Sequence, residues 1–200
     1  MTLRFYVIRH GETEWSLSGQ HTGRTDLPLT TRGEDEARAL IPWLSHVQFV
    51  QVLTSPLQRA RRTCELSGLG AAAEVEPDLA ELNYGDYEGR RSQDIHKDRP
   101  DWNVFRDGCP NGETPGQVSD RADQLIAHLC TQHGNVALFS HGQFSRAFAI
   151  RWLELSVAES CHFMFGTASL SILGFDPSHP ETRVIDLWNA TPDMLTSDGL

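Results

Sequence analysis

The chain is almost devoid of lysine. Lys97 is alone among 17 Lys and Arg residues, which face 27 Asp and Glu for a formal net charge of −10. That balance argues against a nucleic-acid partner, because binding a phosphate backbone requires clustered cations. Cysteine is sparse as well: Cys64, Cys109, Cys130 and Cys161 stand far apart without a CxxC pair. Neither a zinc site nor a thioredoxin-like redox centre is expected, and reduced thiols, mostly in a core, are. No apolar run reaches the length of a membrane span. The first residues enter a strand pattern with no basic stretch or small-residue cleavage site ahead of it, so a soluble, cytoplasmic protein is the expectation. Repeats and low-complexity tracts are absent too.

What the chain does have is enough apolar material for one substantial core. At 200 residues and 39% hydrophobic, a single domain over residues 1–200 is expected. An apolar run from Leu3 to Ile8 predicts a first strand, followed by a long polar loop. Thr31, with Glu34 three residues on, reads as a capping box, and Ala37, Leu40, Ile41 and Leu44 supply one apolar helix face. Phe49 to Leu53 predicts a strand, after which Ser55 as N-cap and Pro56 as first helical residue predict a helix carrying Arg59. A short strand is expected between Glu74 and Asp78, then a polar stretch, 83–115, forming a mobile excursion over the pocket. Thr114 caps a long helix through Leu129, Asn135 to Ser140 is a strand, and a helix with Phe144, Phe148 and Ile150 follows. Leu170 to Phe175 and Arg183 to Trp188 read as strands around a turn at Pro177. Alternation of this kind predicts a three-layer α/β/α sandwich with a largely parallel central sheet.

The chemistry concentrates at strand ends. Arg9-His10-Gly11-Glu12-Thr13 closes the first apolar run, and Ser140-His141-Gly142 closes another. Open α/β sheets bind ligands at the carboxyl ends of their strands. Arginine offers a planar fork for an anion, and histidine can be nucleophile, acid or base. Glycine after each histidine lets the backbone approach a ligand closely. Two imidazoles so placed predict one shared phosphate pocket.

Five separated motifs carry a family resemblance: Arg9 to Thr13, Thr22 to Thr30, Ser55 to Ala60, Glu81 to Gly89, and Ser140 to Gly142. Together they resemble the histidine phosphatase superfamily, which includes the phosphoglycerate-mutase-like enzymes, over Arg4 to about Leu155. The resemblance implies the phosphoglycerate-mutase-like fold and a metal-independent phosphomonoesterase acting through a phosphohistidine. It makes His10 the nucleophile, since residue chemistry alone leaves His10 and His141 equivalent. It also makes Glu81 the acid and base, ahead of the competing Glu88. Arg9, Arg59 and His141 would supply positive charge to the phosphoryl oxygens. Ser16, Thr22, Gly23 and Gly142 would line the substrate site, with Arg24, Tyr84, Arg146 and His21 as candidates for the leaving group.

The family commonly has asparagine after the tryptophan of the first loop, whereas Ser16 follows Trp15 here. The surrounding segment is similar to a branch that includes sedoheptulose bisphosphatases, in which Arg24 or Arg146 would grip a second phosphate. His10, Glu12, Glu81 and His141 lack the tight spacing of a metal site, so neither metal nor cofactor is expected. The partner is a small phosphorylated metabolite, either a sugar phosphate or a phosphorylated carboxylic acid, and a homodimer stays open. Two other activities compete. A phosphoglycerate mutase is disfavoured by the short stretch between Gly89 and the second histidine strand, and a non-catalytic phosphate-binding protein by the presence of every proposed group.

Overall fold

The computed structural model describes residues 2–195. In chain order the elements are β1 (Arg4–Arg9), α1 (Glu14–Ser18), α2 (Thr31–Arg38), α3 (Ile41–Leu44), β2 (Phe49–Thr54), α4 (Gln58–Leu66) and β3 (Ala73–Val75). There follow α5 (Ser92–Asp98), α6 (Val104–Asp107), α7 (Pro115–Leu129), β4 (Asn135–Ser140), α8 (Gly142–Trp152), β5 (Leu170–Phe175), β6 (Arg183–Ala190) and α9 (Pro192–Leu195). The strands form one sheet in the order β3-β2-β4-β1-β5-β6. The pairs β2–β3, β2–β4 and β1–β4 are parallel, and the late hairpin adds β5 and β6 antiparallel.

Strand residues alternate between two cores, as the twofold period of a strand buried on both faces requires. Phe5, Val7, Val136 and Leu138 pack with α7 and α8 on one face, where Leu125, Phe144 and Phe148 meet them. Tyr6, Ile8, Ala137 and Phe139 pack on the other with Leu40, Leu44 and Cys64. The expected three-layer sandwich is the observed one. Ile95, Trp102 and Phe105, within the 83–115 stretch, are buried in the larger core, and the Trp102 indole donates to Gly108 O at 2.8 Å. The segment expected as a polar excursion thus includes α5 and α6, with apolar residues anchored beside the site. Of the four cysteines, Cys64 and Cys109 are buried, Cys130 is half-buried, and Cys161 is exposed.

Several boundaries differ from expectation. Thr30, not Thr31, caps α2, its hydroxyl accepting from Gly33 N at 3.0 Å, while Glu34 pairs instead with Arg38 and Arg62. The helix breaks before α3 because Pro42 has no N–H and its ring disfavours continuation. Ile41 is consequently exposed, while Leu40 and Leu44 are buried. Ser55 and Pro56 lie outside α4, which begins at Gln58. The N–H of Gln58 is taken by Asp26 Oδ1 at 2.8 Å, a cap supplied from a distant loop.

Gly11 and Gly33 hold the catalytic-loop candidate against α2. A Cβ on Gly11 would lie 2.2 Å from Gly33 O, and one on Gly33 would lie 2.1 Å from Glu12 O. Helix propensity alone favours Gly33→Ala by about 1 kcal/mol. The clash is with backbone, so this substitution is expected to destabilise by about 3 kcal/mol in urea unfolding. Unchanged or increased stability would refute the close approach.

Candidate active site

Three parallel strands deliver the site to one edge of the sheet. His10 N donates to Ser140 O at 3.0 Å and Ser55 N to Phe139 O at 2.9 Å, so the residues just beyond β1, β4 and β2 lie side by side. The His10 and His141 ring centroids are 5.2 Å apart. Both imidazoles are buried.

The protonation of each ring follows from its partners. His10 Nδ1 lies 2.7 Å from Gly11 O, and a carbonyl only accepts, so Nδ1 carries the proton. Burial first, then the Arg59 and Arg9 charges, hold this imidazole well below its usual range. His10 is therefore neutral, with an unprotonated Nε2. The opposite tautomer is fixed in His141. Arg59 Nε donates to its Nδ1 at 3.1 Å, which leaves the proton on Nε2, 2.7 Å from Ser55 Oγ. Burial, followed by Arg59 and His10, keeps this ring neutral as well.

A cavity of about 240 Å³ opens beside His10 and is also lined by Arg9, Ser16, His21, Thr22, Glu81, Tyr84 and Gly142. Arg9 donates to Phe165 O, and its Nε is buried with no partner among the described residues. A Cβ on Gly142 would come within 3.2 Å of the Arg9 guanidinium, so glycine makes room for it. Glu81 sits at the N-terminus of α8. Its Oε2 accepts from Gln143 N at 3.0 Å and its Oε1 from Phe144 N at 2.8 Å, with Leu82 N adding a bond at 2.9 Å. The Gln143 and Phe144 N–H groups belong to the first turn of α8, where N–H groups lack a partner within the helix and the dipole favours an anion. Burial, then Glu81, raises the Tyr84 phenol well above its usual range, keeping it a neutral donor.

Residues 5–191 match the family described as the histidine phosphatase superfamily, branch 1. The chain belongs to that superfamily. It is 41% identical to an acid phosphatase of Mycobacterium tuberculosis over 189 residues, covering 92% of each chain. To a Saccharomyces cerevisiae sedoheptulose 1,7-bisphosphatase it is 38% identical over 194 residues, covering 80% of this chain and 71% of the relative. The solved structure of a Mycobacterium tuberculosis open reading frame superimposes with a TM-score of 0.91 at 38% identity, covering 96% of this chain and all 100% of that one. These relatives place the chain among hydrolases of phosphate monoesters, on the expected phosphoglycerate-mutase-like fold.

Within this histidine phosphatase the predicted residues fall into two groups. Arg9, His10, Glu81, Tyr84, Ser16, Thr22 and Gly142 reach the cavity. Arg59 and His141 do not line it: they are fully buried next to His10. Arg59 is held by Thr25 O at 2.9 Å, Thr22 O at 3.2 Å and Gly23 O at 3.0 Å. Gly23 is not in the lining either; its N–H donates to Glu88 Oε1 at 2.8 Å. The Ser16 hydroxyl is engaged by its own turn, donating to Thr13 O at 2.9 Å and accepting from Thr13 N at 2.8 Å. Arg24 is exposed and outside the cavity. Arg146 lines an adjoining cavity that shares His21, Ser92 and Gln143 with the first.

Trp15, Gln20, Ser92 and Gln143 line the site without having been anticipated. Gln143 was the one with a signal, since it follows the Gly142 that opens a helix. Among the described residues no group of three or more His, Cys, Asp or Glu is placed to hold a metal ion.

His21 stacks on Tyr84 at 4.6 Å, and burial lowers its pKa from 6.5 to about 4. Unfolded, the ring takes up a proton below pH 6.5; folded, it does so only near pH 4, so its contribution to stability is lost as pH falls through that window. His10 and His141 act in the same direction. Stability is expected to fall between pH 7 and pH 5, and His21→Phe should lessen that fall by about 2 kcal/mol in urea unfolding. An identical fall in the variant would mean that His21 titrates normally.

Proposed function

We propose that the protein hydrolyses small phosphorylated metabolites by way of a phosphohistidine on His10, with no metal taking part. The observation that carries this reading is the His10 tautomer. A buried neutral imidazole with Nδ1–H on the Gly11 carbonyl at 2.7 Å presents Nε2 as a nucleophile, and the same carbonyl stabilises the positive ring formed once Nε2 is phosphorylated. Arg9 offers its unpartnered Nε to a phosphoryl oxygen. Arg59, beneath the cavity and without a carboxylate in contact, adds fixed positive charge in a poorly screened setting.

The reaction then balances as two displacements. His10 Nε2 attacks phosphorus while the ester oxygen departs with a proton from Glu81, which takes that proton from the monoanionic ester on binding. A water molecule next attacks the phosphohistidine and returns a proton to Glu81, releasing phosphate and neutral His10. Backbone N–H groups fix the Glu81 carboxyl at the cavity wall beside His10, which sets where both transfers take place. The relatives named phosphatases support water, rather than a bound acceptor, as the receiver. Tyr84, His21 and the adjoining cavity with Arg146 would face the leaving group. Arg146 is bonded there to the neutral Ser160 O at 2.9 Å, a cationic wall suited to a second phosphate or a carboxylate.

The acidic net charge fits a small anion held at a local positive site better than a polyanion. Among the described residues no helix is long and apolar enough to cross a membrane, and we place the activity in the cytoplasm. Hydrolysis of p-nitrophenyl phosphate is expected to persist in EDTA and to be blocked by vanadate. His10→Ala should lower kcat by about 10³-fold or more. Loss of activity in EDTA, or near wild-type turnover in His10→Ala, would overturn the reading.

A further inference from the structure

Glu88 resembles a second candidate acid in the sequence, yet the cavity lining does not include it. Its carboxylate instead holds a loop. Oε1 accepts from Gly23 N at 2.8 Å and from Thr25 N at 3.0 Å, and Oε2 is buried without a partner among the described residues. The carbonyls of that loop, Thr22, Gly23 and Thr25, are the ones that hold the Arg59 guanidinium. Arg59 in turn donates Nε–H to His141 Nδ1 at 3.1 Å. A loop that offers three carbonyls to one cation must satisfy its own N–H groups elsewhere, and a carboxylate that accepts two of them fixes where those carbonyls point.

We infer that Glu88 is a positioning residue: it orients the 22–25 loop, the loop orients Arg59, and Arg59 sets the tautomer of His141. Arg59 and His141 are buried, and Glu88 is half-buried with its Oε2 enclosed. Gly23 has no room to shift toward Glu88, since a Cβ there would lie 2.7 Å from Glu88 Oε2 and 2.3 Å from Leu82 O. The relay works through hydrogen-bond acceptance. Of the anions near Arg59, Glu81 and Asp26 act on it more strongly than Glu88 does, so removing the Glu88 charge while keeping its acceptor should matter little.

The test pairs kinetics with a spectroscopic readout that does not depend on turnover; only the kinetic arm rests on the phosphatase reading. In protein labelled with 15N-histidine, His141 is assigned by its loss in His141→Asn. Wild type and Glu88→Gln are expected to show an unprotonated Nδ1 and a protonated Nε2 on His141, with kcat for p-nitrophenyl phosphate within about threefold of one another. Glu88→Ala should give averaged ring shifts from mixed tautomers and a kcat lower by about 10–100-fold. Glu88→Asp, one methylene too short to reach both N–H groups, should do the same if Glu88→Ala does not fold. A single His141 tautomer and wild-type kcat in Glu88→Ala or Glu88→Asp would overturn the relay. So would a loss in Glu88→Gln as large as in Glu88→Ala, since charge would then be what matters. Tautomer mixing in an enzyme that turns over no phosphate ester would leave the relay standing and remove the phosphatase reading instead.

Discussion

The parallel pairing of β1 with β4 is the constraint on which the site depends. Arg9 pairs with Ser140 in register, so each strand releases its histidine at the same level, with the next backbone bond, His10 N to Ser140 O, still closed at 3.0 Å. A slip of one residue would turn His10 to the opposite face and exchange the two cores, because strand side chains alternate. Phe5 and Val7 would then face the layer built for Tyr6 and Ile8. The hydrophobic pattern therefore protects the chemistry. The two imidazoles are placed by the packing of the strand residues just before them.

Two guanidinium groups and two imidazoles share a buried space, and the arginines prevail. Their charges and the loss of water both disfavour a protonated ring, so His10 and His141 are neutral. Neutrality alone would leave each tautomer undecided. The Gly11 carbonyl decides it for His10 and the Arg59 Nε–H for His141, giving one ring an unprotonated Nε2 and the other a protonated Nε2 held by Ser55 Oγ. The opposed tautomers separate the roles of groups that the sequence presents almost identically. The remaining positive charge is met in part by Glu81 on the α8 N-terminus, and a phosphoryl dianion is the ligand that would complete the balance.

The fold was largely legible because its signals are local and periodic. Leu3 to Ile8 and Asn135 to Ser140 are strands, and Thr114 caps α7 with its capping-box partner Gln117. The failures are places where a distant residue replaces a local one. Asp26 rather than Ser55 meets the first N–H of α4, and Thr30 caps α2 one residue earlier than expected. The 83–115 stretch reads as polar because Ile95, Trp102 and Phe105, which bury it, are separated by charged residues with no clean period. The motifs pointed to Arg9, His10 and Glu81, which line the cavity, and to His141, whose ring is buried beside that of His10. They could not reveal that Arg59 bonds three carbonyls, that Ser16 spends its hydroxyl on its own turn, or that Gly23 answers to Glu88, because those partners lie on other segments or within the backbone itself.

We propose His10 Nε2 as the atom that receives the phosphoryl group. Rapid mixing of enzyme with a 32P-labelled monoester, followed by alkaline quench and peptide mapping, tests it directly. Label is expected on the peptide containing His10, stable to base, lost in mild acid, and present within the first turnover. Label on His141 or on any other side chain, or hydrolysis at full rate with no labelled protein at any time, would contradict it.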